Sequence, residues 1–143
     1  MTAQEELNKN TVLRFNSEVL ENGSIDAINE IISPEFINYS SPPGIPHGPQ
    51  GMIDFINVMH KSLTGISVKI HDQVVENDKV VTRKTIYGTH IGNFMGVAPS
   101  HEQVAINIID IITVKGAQYT EYWSMRDAQD MIDKSTRQTQ IKI

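Results

Sequence analysis

The segment that decides the fold runs from Gly88 to Pro99 and reads Gly-Thr-His-Ile-Gly-Asn-Phe-Met-Gly-Val-Ala-Pro. A long alternating segment, typical of a β-strand, precedes it, and two more follow it. Three glycines spaced four apart permit backbone angles and close approaches that other residues do not. The pattern predicts that one strand ends here and the chain turns back. The turn is either the lip of a pocket, with Phe94 and Met95 as apolar plugs, or a plain structural turn.

The composition narrows the class of protein. A chain of 143 residues is long enough for one domain with a sizeable core. Its net charge is −5, from 17 acidic and 12 basic residues, and no basic cluster occurs, so a nucleic-acid partner is not expected. The absence of cysteine excludes disulfides, thiolate catalysis and cysteine metal sites.

The sequence predicts neither a signal peptide nor a membrane-spanning segment. The acidic N-terminus lacks the basic start and apolar centre of a signal peptide, and no segment is apolar over the length of a bilayer. The sequence therefore predicts a cytoplasmic protein with no membrane partner. The segment from Gly88 is not a phosphate-binding loop, because no Gly-Lys-Ser/Thr follows it and the next segment is strand-like.

The first predicted helix begins at a capping box, in which Thr2 and Glu5 each satisfy a free N–H group of the first turn. Gly23 ends this helix, because glycine tolerates a left-handed turn. Apolar residues recur between these ends at helical spacing and predict one buried stripe: Leu7, Val12, Phe15 and Val19.

Two more helices are predicted before the sequence period changes. The second spans residues 25–32 and ends before Pro34, and a short strand is expected over residues 36–39. Residues 40–48 contain three prolines and two glycines and must form a loop. Pro49 opens the third helix, at a position where a missing N–H group costs nothing.

From Thr64 onward the period is two, which predicts strands over residues 64–75, 79–90, 103–115 and 117–126. Helices segregated from antiparallel strands define the α+β class. We expect a strongly bent antiparallel sheet that wraps over three N-terminal helices, with a cavity between them. A single domain would span residues 1–134, ending in a short helical turn, and residues 135–143 would form a polar tail.

Asp110 is the strongest candidate for chemistry on the strands. Alternation places it among apolar residues on one face, where a carboxylate is costly unless it is paired or its pKa is raised. Two alternatives follow: a buried structural aspartate bonded to a neighbour, or a group in an enclosed polar pocket, suited to act as general acid or base. The residues that share its face are Val104, Ile106, Ile108, Ile112 and Val114.

Other polar residues either line a cavity or lie on the surface. His90 ends its strand at the start of the glycine-rich segment and is either a pocket residue or a surface histidine. The five histidines form no close pair, so a metal site is not predicted. In the last strand, one face carries Thr120, Tyr122, Ser124 and Arg126, and the other carries Tyr119, Glu121, Trp123 and Met125.

Three separated motifs resemble those of the SnoaL-like polyketide cyclases. The first covers residues 36–51, the second runs from Gly88 to Gly96, and the third combines Asp110, a glycine turn and the Glu-Tyr-Trp of residues 121–123. The resemblance extends from about residue 8 to residue 127. It implies the nuclear transport factor 2-like fold, a cone-shaped α+β barrel that is usually a homodimer.

The resemblance also implies an activity. Characterised members close a polyketide ring by intramolecular aldol condensation without metal or cofactor, and an aspartate directly after Glu-His-Trp acts as acid and base. Here Tyr122 stands in place of that histidine and Ser124 in place of that aspartate, while Asp110 falls where the cyclases carry a histidine. Loss of general acid–base help costs roughly 10²–10⁴ in rate, so either Asp110 has become the base or the chain is not an aldol cyclase.

The sequence thus supports two main hypotheses and a lesser one. The first is cofactor-free acid/base chemistry, such as aldol cyclisation or isomerisation, on a small hydrophobic carbonyl compound, with Asp110 and His90 as catalytic residues. The second is a non-catalytic small-molecule-binding module, and the third is a pure dimerisation domain. No metal or cofactor is expected, and a homodimer is. The predicted substrate-binding residues are Asn38, Phe55, Phe94, Met95, Tyr122 and Ser124.

Overall fold

The computed structural model describes residues 1–94 and 96–127. Helices fill most of the first 62 residues, with one strand between the second and third helices, and four strands follow. The helical elements are α1 (Ala3–Arg14), which continues as a π-helical segment (Phe15–Glu21), α2 (Ile25–Ile31) and α3 (Pro49–Ser62).

The five strands form one curled sheet in the order β1-β5-β4-β3-β2. Within it β1 pairs parallel with β5, and the other neighbours pair antiparallel. The α+β class and the nuclear transport factor 2-like fold are confirmed. The sheet is mixed, however, rather than wholly antiparallel, and it is curled without closing. The strands are β1 (Ile32–Asn38), β2 (Leu63–Glu76), β3 (Lys79–His90), β4 (Gln103–Lys115) and β5 (Gln118–Asp127).

The capping box at the start of α1 is confirmed. The hydroxyl of Thr2 accepts from the Glu5 N–H at 3.1 Å, and the Glu5 carboxylate accepts from the Thr2 N–H at 2.9 Å. The prediction that Leu7 belongs to the buried stripe is wrong, since its side chain is 57% exposed. The next residue, Asn8, is buried instead and donates its amide to the Asn77 carbonyl at 3.1 Å. This hydrogen bond ties the first two turns of α1 to the β2–β3 turn.

The end of α2 differs from the prediction. The helix ends before Pro34 as predicted, but at Ile31, one residue early, and Pro34 lies inside β1. Proline is tolerated here because β1 is an edge strand and Pro34 faces solvent. The β1–β5 register is irregular between Ile32 and Ile37, around the missing N–H group. The strand is therefore longer than the four residues expected.

A bulge changes the faces of β5. The β4–β5 register shifts between Thr113 and Val114, and Tyr119 is fully buried together with Tyr122. The prediction that these two tyrosines lie on opposite faces is wrong, because one extra residue in a strand moves the following side chains to the other face. The Tyr119 ring packs on Phe15, with ring centroids 4.6 Å apart.

The core lies between the helices and the inner face of the sheet. The helices contribute Val12, Phe15, Val19, Ile28, Ile56 and Met59, and the strands contribute Val80, Ile86, Ile106 and Ile112. None of the described helices is long and apolar enough to cross a membrane. The predicted final helical turn, residues 128–134, and the polar tail, residues 135–143, lie outside the described residues, so the domain boundary stays a prediction.

Candidate functional site

A buried ion pair lies at the centre of the inner face. The Nζ atom of Lys84 on β3 is 2.9 Å from the Oδ2 atom of Asp110 on β4, at ion-pairing distance but outside hydrogen-bond geometry. The two side chains are 2% and 0% exposed. Asp110 is therefore a carboxylate on an apolar strand face that is paired with a charged neighbour.

Lys84 is absent from the site residues predicted from the sequence, although a signal for it is present. Alternation places it on the same face of β3 as Ile86 and Gly88. A lysine on an apolar face next to an aspartate on an apolar face predicts a pair. Two separate strands must be considered together for this pattern to appear.

Asn16 holds the ammonium group from the helical side. Lys84 donates to the Oδ1 atom of Asn16 at 2.7 Å, and the Asn16 amide donates to the Val12 carbonyl at 2.8 Å. The amide oxygen must face Lys84, because an ammonium group has no acceptor. Asn16 belongs to the π-helical segment, a conformation that is rare and occurs often at functional sites.

Two tyrosines on β5 border the pair. Burial, and after it the negative charge of Asp110, raises the pKa of Tyr119 well above its usual value. The same causes raise the pKa of Tyr122, while Arg126 and Ser124 act in the opposite direction. Both hydroxyls therefore stay protonated at neutral pH, and each can donate a hydrogen bond to a ligand oxygen.

Several buried polar atoms in this region have no hydrogen-bond partner within the described residues. They are both carboxylate oxygens of Asp110, the hydroxyl of Tyr119 and the hydroxyl of Ser124. Ser124 lies directly opposite Asp110 in the β4–β5 register. Buried polar groups in folded proteins are nearly always paired, so a group of unpaired ones needs an explanation, such as a water or a polar ligand. We call Lys84, Asp110, Tyr119, Tyr122 and Ser124 the inner polar cluster.

His90 is fully buried and is not a surface histidine. Its Nδ1 atom accepts from the Ser100 N–H at 3.4 Å. Burial lowers its pKa, an effect that the backbone of Gly92 and Val97 partly offsets. It lies eight residues along β3 from Thr82, the neighbour of Asp110, which corresponds to about 25 Å along the strand. The structure therefore does not place His90 beside Asp110.

The predicted apolar residues meet between α3 and the loop after β3. The rings of Phe55 and Phe94 are 6.1 Å apart, and Phe94 is buried. The guanidinium of Arg126 lies 4.9 Å from the centre of the Phe55 ring. Arg126 is two residues after Ser124 on β5, so this aromatic group adjoins the inner polar cluster. Met95 lies outside the described residues.

Asn38 serves the loop that follows β1. Its side-chain oxygen accepts from the Ser40 N–H at 2.9 Å, and its backbone N–H donates to His47 at 2.7 Å. The Ser40 hydroxyl in turn accepts from the Ser124 N–H at 2.9 Å. Asn38 therefore ties the proline-rich loop to β5, beside its register partner Tyr122.

No group of three histidines or carboxylates with metal-binding spacing occurs in residues 1–94 and 96–127. A curled sheet over three helices, with polar side chains on its inner face, defines the nuclear transport factor 2-like class of α+β proteins. The chain belongs to the SnoaL-like polyketide cyclase family, whose model matches residues 10–134. Comparison with curated protein sequences gives no match.

Solved structures share the fold over nearly the whole chain. A putative SnoaL-like polyketide cyclase from Jannaschia is 25% identical with a TM-score of 0.84, covering 95% of this chain and 96% of its own. TsrD from Streptomyces laurentii is 21% identical with a TM-score of 0.81, covering 94% and 97%. An epoxide hydrolase-like protein from Mycobacterium tuberculosis is 17% identical with a TM-score of 0.69, covering 94% and 92%.

Proposed function

We propose that the protein is a cofactor-independent enzyme that performs acid/base chemistry, such as aldol cyclisation or isomerisation, on a small hydrophobic carbonyl compound. Asp110 acts as the base, and Tyr122 and Ser124 bind the substrate's oxygens. The observation that carries this proposal is the group of unpartnered buried polar atoms around an ion-paired carboxylate.

The ion pair makes Asp110 a usable base. The Nζ atom of Lys84 lies 2.9 Å from the Oδ2 atom of Asp110, and Asp110 has no exposure to solvent. Proton abstraction requires a carboxylate, and the ammonium group is the charged partner that a buried carboxylate needs. The carboxylate is thus held in place for the substrate.

The position of Asp110 fits a transfer of the family's acid/base role. The family resemblance implies an aspartate where this chain has Ser124, and Ser124 faces Asp110 directly across the β4–β5 ladder. Opposite residues on antiparallel strands are about 4.5–5.5 Å apart. The carboxylate is thus moved by one strand, and the serine leaves it room.

The other predicted residues take supporting roles in this proposal. Phe55 and Phe94 form the apolar wall that receives the hydrophobic part of the substrate, and Met95 stays a predicted substrate-binding residue. Asn38 holds the proline-rich loop over the cluster. His90 anchors the loop after β3, because its distance along the strand from Asp110 is too large for shared proton transfer.

A second function, binding of a small molecule without catalysis, is favoured by one observation. Ser124 occupies the position of the family's acid, and a serine hydroxyl without a base is a poor proton acceptor. The inner polar cluster would then hold a polar ligand unchanged.

We also propose a homodimer formed through the outer face of the sheet. Apolar side chains are exposed there on adjacent strands, and contiguous apolar surface commonly marks an interface. The exposed residues of this face are Tyr87, Ile109, Ile111 and Met125.

The cytoplasmic location stays a prediction from the sequence.

Ligand capture tests the proposed function. The purified protein is incubated with a panel of aromatic polyketide esters and with a cell extract, and products and retained ligands are measured by native mass spectrometry. We expect the wild type to convert a compound that Asp110→Asn retains unchanged, and Asp72→Asn, an exposed control, to behave as the wild type. If the wild type and Asp110→Asn retain the same molecule unchanged, the chain is a binding module.

A further inference from the structure

We propose that Lys84 is a further catalytic residue and that its ammonium group binds the oxyanion formed when Asp110 removes a proton from the substrate. This inference rests on the proposed acid/base function. It adds a second group that acts at the reacting atoms.

The contacts of Lys84 fit this role. An ammonium group carries three N–H bonds. Within the described residues, one is donated to Asn16 at 2.7 Å, and the ammonium nitrogen lies 2.9 Å from the Oδ2 atom of Asp110. An N–H bond that is not donated to Asn16 is left for a ligand oxygen. The amide of Asn16 is itself fixed to the Val12 carbonyl, so the ammonium group keeps its position when the ligand changes.

The charges balance through the reaction. The C–H bond breaks, its proton forms an O–H bond on Asp110, and the electron pair moves onto the carbonyl oxygen as an enolate. The negative charge thus passes from Asp110 to the ligand, and the net charge of the site does not change. Lys84, which paired with the carboxylate, now pairs with the enolate.

Ring closure returns the proton. The enolate carbon attacks a second carbonyl carbon of the same substrate, a C–C bond forms, and the new alkoxide takes the proton from Asp110. The carboxylate and Lys84 then pair again. Lys84 stays in place on Asn16 while the negative charge passes between Asp110 and the ligand, so little reorganisation is required.

The same geometry suits a substrate with two carbonyl oxygens. A C–H group between two carbonyls gives an enolate that is delocalised over both oxygens. Lys84 would bind one oxygen, and a hydroxyl of Tyr119 or Tyr122 would donate to the other.

Binding of 4-nitrophenol, a stable mimic of the enolate oxygen, tests the role of Lys84 without turnover. Its yellow phenolate and its colourless phenol are distinguished by absorbance. At a pH below the pKa of free 4-nitrophenol, we expect the wild-type protein to bind it as the phenolate, because its proton passes to Asp110 and its oxygen pairs with Lys84. A bound probe that remains in the phenol form would overturn the inference, and this measurement needs no variant.

Variants test the contribution of each charged residue to phenolate binding. In Asp110→Asn no carboxylate competes with the ligand for Lys84, so we expect phenolate that is already ionised in solution to bind more tightly, by about tenfold or more. Lys84→Met should weaken it by about tenfold or more, while Lys79→Met, a half-exposed lysine elsewhere on β3, should leave it unchanged. Circular dichroism identifies a variant that has not folded. Phenolate binding by folded Lys84→Met that equals the wild type would contradict the proposal.

The two proposals can fail separately. If the wild type binds phenolate but converts no compound in the capture experiment, Lys84 is an anion-binding residue of a binding module and the enzyme proposal is wrong. If compounds are converted with Asp110 required and the bound probe stays neutral, the enzyme proposal stands and the role of Lys84 is wrong.

Discussion

Two neighbouring residues of β3 each pair with an aspartate, on opposite faces of the sheet. Arg83 on the outer face lies 2.6 Å from Asp72, with side chains 54% and 62% exposed. Lys84 on the inner face lies 2.9 Å from Asp110, with side chains 2% and 0% exposed. Each pair joins a basic side chain to an aspartate, but the outer pair is exposed to solvent and the inner pair is buried.

The comparison shows what burial does to an ion pair. The outer pair is surrounded by water, which screens its attraction, and such pairs contribute about 0–1 kcal/mol to stability. The inner pair has lost its hydration, so each charge depends on the other and on Asn16. Pairing offsets the cost of burying two charges only in part. Since buried charged groups are common at functional sites, we propose that the function lies on the inner face.

The two pairs should differ most in how much stability is lost when the basic partner is removed. Lys84→Met leaves the buried carboxylate of Asp110 without its ammonium group, and we expect the free energy of unfolding to fall by about 3–5 kcal/mol. Arg83→Met should change it by about 1 kcal/mol or less. Urea denaturation followed by circular dichroism measures both. Equal losses in the two variants would contradict the comparison.

The pH dependence of stability gives a smaller effect, carried by His90. Because burial lowers the pKa of His90 below its usual 6.5, the unfolded chain binds a proton more readily than the folded protein. The stability linked to His90 is therefore fully present above 6.5 and is lost as the pH falls through the lower folded value. We expect His90→Gln to lose less stability on acidification than the wild type.

Urea denaturation of both proteins above and below pH 6.5 measures this difference. His47→Gln serves as a control, because His47 is an exposed histidine of the proline-rich loop. Identical pH profiles for the wild type and His90→Gln would show that His90 binds protons equally well in the folded and unfolded states.

Much of the fold could be predicted because its signals are local. The strand periods, the turn at Gly88–Pro99 and the cap at Thr2 each depend on a few adjacent residues. The errors come from long-range effects. Leu7 is exposed while its neighbour Asn8 is buried and bonds to Asn77, and Tyr119 is buried beside a bulge that alternation cannot reveal.

The site was predictable only in part. Alternation placed Asp110 on the inner face, which the structure bears out by its complete burial. Its partner Lys84 lies 26 positions earlier in the chain (110 − 84), on the adjacent strand, and its contact with Asn16 comes from a helix. Such a contact requires the register of two strands and the path of the helix together, and neither follows from a single segment.

Proton abstraction by the inner polar cluster is the central claim, and deuterium exchange measures it most directly. A simple 1,3-dicarbonyl compound is incubated in deuterated buffer, and loss of its central C–H signal is followed by nuclear magnetic resonance. We expect the wild type and Asp72→Asn to accelerate the exchange equally and Asp110→Asn to be slower by about 10²–10⁴. Exchange by folded Asp110→Asn at the wild-type rate would contradict the account.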